Sequence, residues 1–220
     1  MSNVFKMSNV AIAMQSALGA NSTISAITNA NPGVVTDAAH GFSNGNYILV
    51  NTNGMTQINN TVQRIIASAT NSYEFEFVSG GAGIDTTLYG QTTGGTAQLI
   101  TFGNSITSAT DINITGGDFE MIDTTLIHSD QKLNVPGASN PIKIELTQIW
   151  DLSNAGQQAL LVASKLKTQM AFLLTFGAGG PKMAFNGYVA YAGVPNGKSQ
   201  DKITSPCTIT PFGYPSYWET

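Results

Sequence analysis

Charge is what this sequence has least of. Its 220 residues include 13 acidic and nine basic side chains, 10% in all, against about 25% in an average soluble domain. The basic residues are scattered from Lys6 to Lys202, Arg64 is the only arginine, and the net charge is −4. A nucleic-acid binder needs a basic stripe to neutralise phosphates, and there is none. Cysteine is nearly absent too. Cys207 alone allows neither an intramolecular disulfide nor a cysteine zinc cluster, and it reads as a small buried hydrophobe. Long apolar runs are missing as well, and no stretch comes near the ~20 residues of a membrane span. The segment after Lys6 faintly resembles a leader, but its run Val10-Ala11-Ile12-Ala13-Met14 is too short for a signal core. A first strand is expected there.

Catalytic chemistry is equally thin. His40 and His128 are the only histidines, and no G-x-S-x-G nucleophile elbow exists for a triad. Asp123, His128 and Asp130 are ligand types, yet no second His or Cys stands at ligand spacing, so a turn or rim is expected. His40-Gly41 reads as a turn whose imidazole bonds local backbone. Gly177 to Lys182 lacks the Gly-Lys-Ser/Thr ending of a phosphate loop and reads as a hairpin loop. Glu74 and Glu76 share one face of a strand, opposite Tyr73, Phe75 and Phe77. Alternation predicts a solvated acidic face and a buried aromatic one. Trp150 and Trp218 are expected to be packing anchors rather than sugar platforms. No enzyme, metal or cofactor is expected.

What the sequence has is turns and short apolar segments. Asn44-Gly45, Asn53-Gly54, Gly80-Gly81, Gly94-Gly95, Gly116-Gly117, Asn186-Gly187 and Asn196-Gly197 punctuate runs rich in Val, Ile, Thr and aromatics. Strands are predicted at Tyr47 to Val50, Val62 to Ala67, Tyr73 to Val78 and Ile142 to Trp150. In the last, Ile142, Ile144 and Leu146 alternate with Lys143, Glu145 and Thr147, one buried face against one polar face. Met183, Phe185, Val189 and Tyr191 line one side of another strand. One segment turns helical, at about 153–170, with Ala159, Val162 and Leu166 predicted as the stripe that packs on a sheet. Asp151, Ser153 and Asn154 offer N-cap chemistry, and Gly156 in the first turn costs up to about 1 kcal/mol. The fold class is therefore mainly β, a sandwich or barrel with one flanking helix.

A composition shift divides the chain. Residues 22–100 form an array of short strands and Gly turns, expected to be an inserted small β module. Residues 1–21 and 101–220 are expected to form the core that carries it. Within the insert, Asn31-Pro32-Gly33-Val34-Val35-Thr36, His40-Gly41-Phe42 and Gly54-Met55-Thr56-Gln57-Ile58-Asn59 resemble a small module of phage tail proteins. The C-terminal part resembles the siphophage major tail tube proteins. The features that match, in order, are Phe119 to Thr125, Pro136-Gly137, Ile142 to Asp151, the helix with Gly156-Gln157, Phe172 to Phe176, Met183 to Tyr191, and Cys207 to Tyr214.

The resemblance implies a β-sandwich with one flanking helix, assembled as hexameric rings whose strands join into an inner barrel. It implies a non-contractile tail tube that conducts double-stranded DNA without binding it specifically, built in the bacterial host cytoplasm and located in the virion tail. Tape measure, terminator and distal tail proteins are the implied partners, with no membrane. Low charge suits that role, since neutral polar faces meet another subunit without the desolvation cost of ions. Asp118 and Glu120 are candidate lumen-facing acids, with Phe119 and Met121 turned to the core. The alternative is a tail-tip or fibre-associated module that binds a receptor or carbohydrate.

Overall fold

The computed structural model describes residues 9–78, 81–128 and 130–219. Lys6 and Gly80, named above, lie outside them. The turn signals close hairpins, and the segments between them pair. In chain order the elements are β1 (Val10–Leu18), β2 (Ser22–Ile27), β3 (Val34–Asp37), β4 (Tyr47–Thr52), β5 (Thr61–Ala69), β6 (Ser72–Phe75), β7 (Gly95–Ser105) and β8 (Ala109–Thr115). There follow β9 (Phe119–Asp123), β10 (Asn134–Ser139), β11 (Lys143–Ile149), α1 (Ala155–Leu166), β12 (Gln169–Phe176), β13 (Lys182–Ala190), β14 (Thr204–Pro211) and β15 (Ser216–Trp218).

Strands β2, β3, β6, β5, β4 and β7 pair in that order, and β2 pairs β7 again, which closes a six-stranded barrel. Its interior is filled by Ile24, Val35, Ile48, Val50, Ile65, Tyr73, Phe75 and Ala97. The eleven-residue β7 then continues. Its first part, Gly95 to Leu99, pairs β2 and β4. Its second part, Ile100 to Ser105, pairs β1. From β1 the sheet runs β12, β13, β14, β11 and β8, with β15 added to the start of β13. The inner face of this second sheet carries the alternating residues expected of it, including Ile144 and Leu146 from β11 and Met183, Phe185 and Val189 from β13. Leu160 and Ala163 of α1 pack into the same core.

A third cluster joins the two bodies. Leu49, Val62 and Ile100 meet Ala171, Ala184 and Trp218 there, with Tyr47, Phe102 and Leu173 packed around them. Polar groups reinforce the seam. Asn60 donates to Gln169 Oε1 at 2.9 Å, Asn186 donates to Asn60 Oδ1 at 2.6 Å, and Trp218 Nε1 donates to Glu76 O at 3.2 Å.

Three expectations need correction. The helix is shorter than 153–170. Asn154 is its N-cap, accepting from Gln157 N at 3.1 Å, and Lys167 ends it in the left-handed region at φ 53°. Gln169 and Met170 already belong to β12. The helix is also rotated from the predicted stripe. Gly156, Gln157, Leu160 and Ala163 are buried and Ala159 is half-buried, whereas Val162 and Leu166 are 55% and 67% exposed. The cause is polar. Gln157 Nε2 donates to Ser108 Oγ and Ile149 O, and its Oε1 accepts from Tyr191 Oη–H and Asp151 N. A buried side chain with four partners fixes the rotation more firmly than an apolar stripe does. Gly156 allows the approach, since a Cβ there would lie 2.5 Å from Ser105 O. Finally, Glu76 is buried rather than solvated, its Oε2 3.1 Å from Arg64 Nε. Phe77 is exposed, because β6 ends at Phe75 and the alternation ends with it.

Candidate assembly surfaces

Strands β8 and β11 form one hairpin whose two chains do not turn at the sheet edge. Lys143 pairs Thr115, Gly117 N donates to Asn140 O, Asn140 N donates to Asp118 O, and Ile122 pairs Val135. The hairpin therefore runs on as β9–β10, a two-stranded arm outside the main sheet. Gly116 marks the exit at φ 84°, with its ideal Cβ position 2.2 Å from Pro141 O. At roughly 3.4 Å per residue the six residues from Asp118 to Asp123 carry the arm about 20 Å.

The arm is apolar where it should be wet. Phe119, Met121, Ile122, Leu126, Ile127, Leu133 and Val135 are all between 49% and 98% exposed. Phe119 and Met121 thus do not face a core of their own chain, contrary to the sequence expectation. An isolated two-stranded hairpin is marginally stable in water, and a contiguous apolar surface of this kind marks an interaction site. Asp118 and Glu120 lie on the same stretch, both exposed. At the arm's far end the Asp123 carboxylate is held below its ordinary range by the Thr125 hydroxyl and backbone N–H.

Two further apolar surfaces lie on the body. Val162 and Leu166 on the outer side of α1 join Leu152 as exposed large side chains. Around the last turn, Phe212, Tyr214 and Tyr217 are 48%, 60% and 47% exposed. Tyr214 and Tyr217 rim a cavity of about 180 Å³ lined also by Gln57, Gln63, Glu76 and Tyr89. The sheet itself ends at β8, which among the described residues pairs with β11 alone and leaves its other backbone edge unpaired.

The residues weighed for chemistry have structural surroundings. His40 is buried in a turn, where Nδ1 accepts from Phe42 N at 3.0 Å and Nε2 lies 2.7 Å from Ala69 O. Cys207 is buried in the second core, which pushes its thiol up to about 12. Burial beside Asp37 likewise raises the Tyr73 phenol. Among the described residues no group of three His, Cys, Asp or Glu is placed to hold a metal, and no helix is long and apolar enough to cross a membrane. Gly177 to Lys182 links β12 to β13 as a hairpin loop.

A mainly β body with an open sheet edge, an apolar arm and two apolar patches is built to meet other proteins; the structure defines an assembly subunit. Residues 53–219 match the phage tail tube protein family, TTP, and the chain belongs to that family. It is a structural subunit of the phage tail tube, located in the virion tail. The match begins inside the first barrel, at Asn53, and runs through the arm, α1 and β15. No curated protein matches the chain.

Proposed function

We propose that this chain is the major subunit of a non-contractile siphophage tail tube, with six copies per ring and stacked rings forming the conduit for DNA ejection. The observation that carries the reading is the arm: seven large apolar side chains held out on a hairpin, on a chain of the tail tube family. Burying a Leu, Ile or Phe contributes about 1.5–3 kcal/mol, so a neighbouring copy is the natural cover. The open β8 edge supports the same reading, because an unpaired edge is a liability that pairing across subunits removes. Tape measure, terminator and distal tail proteins are the proposed partners at the tube's ends, with assembly in the bacterial cytoplasm. Residues 22–100 are proposed as a module carried on a core of 1–21 and 101–220, a division supported by their separate hydrophobic interior. Asp118 and Glu120, exposed where the arm leaves the sheet, are proposed to face the channel.

Negative-stain microscopy of concentrated protein tests the proposal. Six-fold rings or tubes are expected, and strictly monomeric particles even with tail initiator proteins present would overturn it. The exposed aromatics at Tyr214 and Tyr217, over a cavity floored by Gln63 and Glu76, favour carbohydrate binding as the second reading. Saturable binding on a glycan array by the monomer would favour that reading.

A further inference from the structure

The cavity below Tyr214 and Tyr217 is built from both bodies. Gln57, Thr61 and Gln63 come from the first barrel at the start of β5, Glu76 and Phe77 follow β6, and the two tyrosines flank the turn that enters β15. Neither body holds the cavity alone. Its mouth and its floor differ in kind. Phe77, Tyr214 and Tyr217 stand exposed at the mouth, whereas Thr61, Gln63 and Glu76 are only 9%, 4% and 7% exposed. The floor is also held in place. Thr61 Oγ1 donates to Ile58 O at 2.7 Å and accepts from Gln63 Nε2 at 2.9 Å, and that amide reaches Ser216 Oγ at 3.4 Å across the joint. Glu76 Oε2 lies 3.1 Å from Arg64 Nε, so the acid is met by a cation within the same barrel.

We infer that this cavity binds a single neutral pyranose ring, the end of a glycan, and holds it without cleaving it. The inference rests on the carbohydrate reading of these aromatics and is independent of tube formation. A pyranose has a C–H face for an aromatic ring and hydroxyls for polar groups, and tyrosine offers an apolar body with a polar tip. The exposed rings at the mouth and the buried amide and hydroxyl below supply both kinds of contact. Size limits the ligand. At about 180 Å³ the cavity is smaller than the roughly 300–1,000 Å³ of drug-sized sites, which suits one ring and not a chain of them. Charge limits it further. Because Glu76 already faces Arg64, an ammonium or carboxylate on the sugar would lose water without gaining an unshared opposite charge. Among the described lining residues Glu76 is the only acid, and glycoside hydrolysis canonically takes two carboxyl groups.

Saturation-transfer NMR on the full chain tests the site. The probes are the methyl glycosides of glucose, galactose, mannose and N-acetylglucosamine, with glucosamine and glucuronate as charged counterparts. At least one neutral glycoside should bind saturably, with the signal strongest on its ring C–H protons, and the charged sugars should bind more weakly. Tyr214→Ala and Tyr217→Ala, each checked for folding by circular dichroism, should weaken binding by about tenfold. Tyr188→Ala removes an exposed tyrosine outside the cavity and should bind as wild type does. Should Tyr217→Ala fail to fold, Gln57→Ala on the exposed rim takes its place. No saturable binding by any of the glycosides would overturn the inference and the carbohydrate reading together, and leave the tube reading standing. Binding that the rim variants leave unchanged, or that is equally tight for the charged sugars, would overturn the inference and keep the carbohydrate reading.

Discussion

Replacing Trp218 with alanine tests whether the two bodies stand or fall together. Trp218 is 1% exposed and packs edge-on to Tyr47, with ring centroids 5.5 Å apart, in the cluster shared by both bodies. Its Nε1 also satisfies the carbonyl of Glu76 in the first barrel, while β15 itself is hydrogen-bonded to β13 in the second sheet. Truncating a buried Trp costs about 3–5 kcal/mol, and the upper part of that range applies because a carbonyl loses its donor as well. At about 2–4 °C per kcal/mol for a chain of this length, the midpoint should fall by roughly 8–20 °C. Calorimetry is the assay, with Trp218→Phe as the comparison that keeps a ring and loses the hydrogen bond. A single transition should move down as one, with the phenylalanine variant between wild type and alanine. A midpoint within about 2 °C of wild type would refute the argument. So would two transitions of which only one shifts, since that would mean the seam does not couple the bodies.

The helix supplies a paired comparison: Leu160→Ala should destabilise the isolated subunit by about 2–5 kcal/mol. Leu166→Ala should stay within about 0.5 kcal/mol in the same melt. Replacing residues 118–139 with a short Gly-Ser turn should leave a folded subunit by circular dichroism that no longer forms tubes; intact tubes would dismiss the arm as an assembly element. Tubes carrying Asp118→Lys with Glu120→Lys should retain DNA at low salt and release it as salt rises, and wild-type passage of DNA would show that these acids do not face the channel. Alkali should unfold the subunit partly through Cys207. Its folded value of about 12 lies above the ordinary 9.0, so its contribution is complete below pH 9 and is lost as pH rises towards 12. At 1.36 kcal/mol per pH unit the loss is about 4 kcal/mol. Cys207→Ala should flatten that part of the pH–stability curve, and an unchanged slope would show that the thiol does not contribute.

Alternation made β11 readable, because one side of the strand meets a core and the other does not; β13 alternates only towards its end, its first half being buried on both sides by the second core and the seam. The same rule failed at Glu76, where the strand stops one residue earlier and an arginine waits inside. Periodicity announced a helix but not its rotation. The stripe Ala159, Val162, Leu166 is apolar, yet the side facing the sheet is set by the hydrogen bonds of Gln157, and Gly156 beside it is the one local sign that this glutamine, unlike Gln158, lies close to the sheet. The arm was illegible for a related reason. Phe119, Met121 and Ile122 carry the pattern of a half-buried strand, and a sequence does not say whether the surface that buries it belongs to the same chain.

Strand β7 has a consequence for how the chain can vary. Because side chains in a strand alternate, a slip of one residue carries every one of them to the opposite face. Here one strand serves two bodies, with Ala97 inside the first barrel, Ile100 at the seam and the last residues paired to β1. A single-residue deletion within Gly95–Ser105, even of a small polar residue such as Thr96, would therefore turn the side chains on one side of it to the wrong face for the body they serve. Loops such as Gly177 to Gly180 can lengthen or shorten without that penalty. Among related chains, length variation should gather at such loops and avoid this stretch altogether.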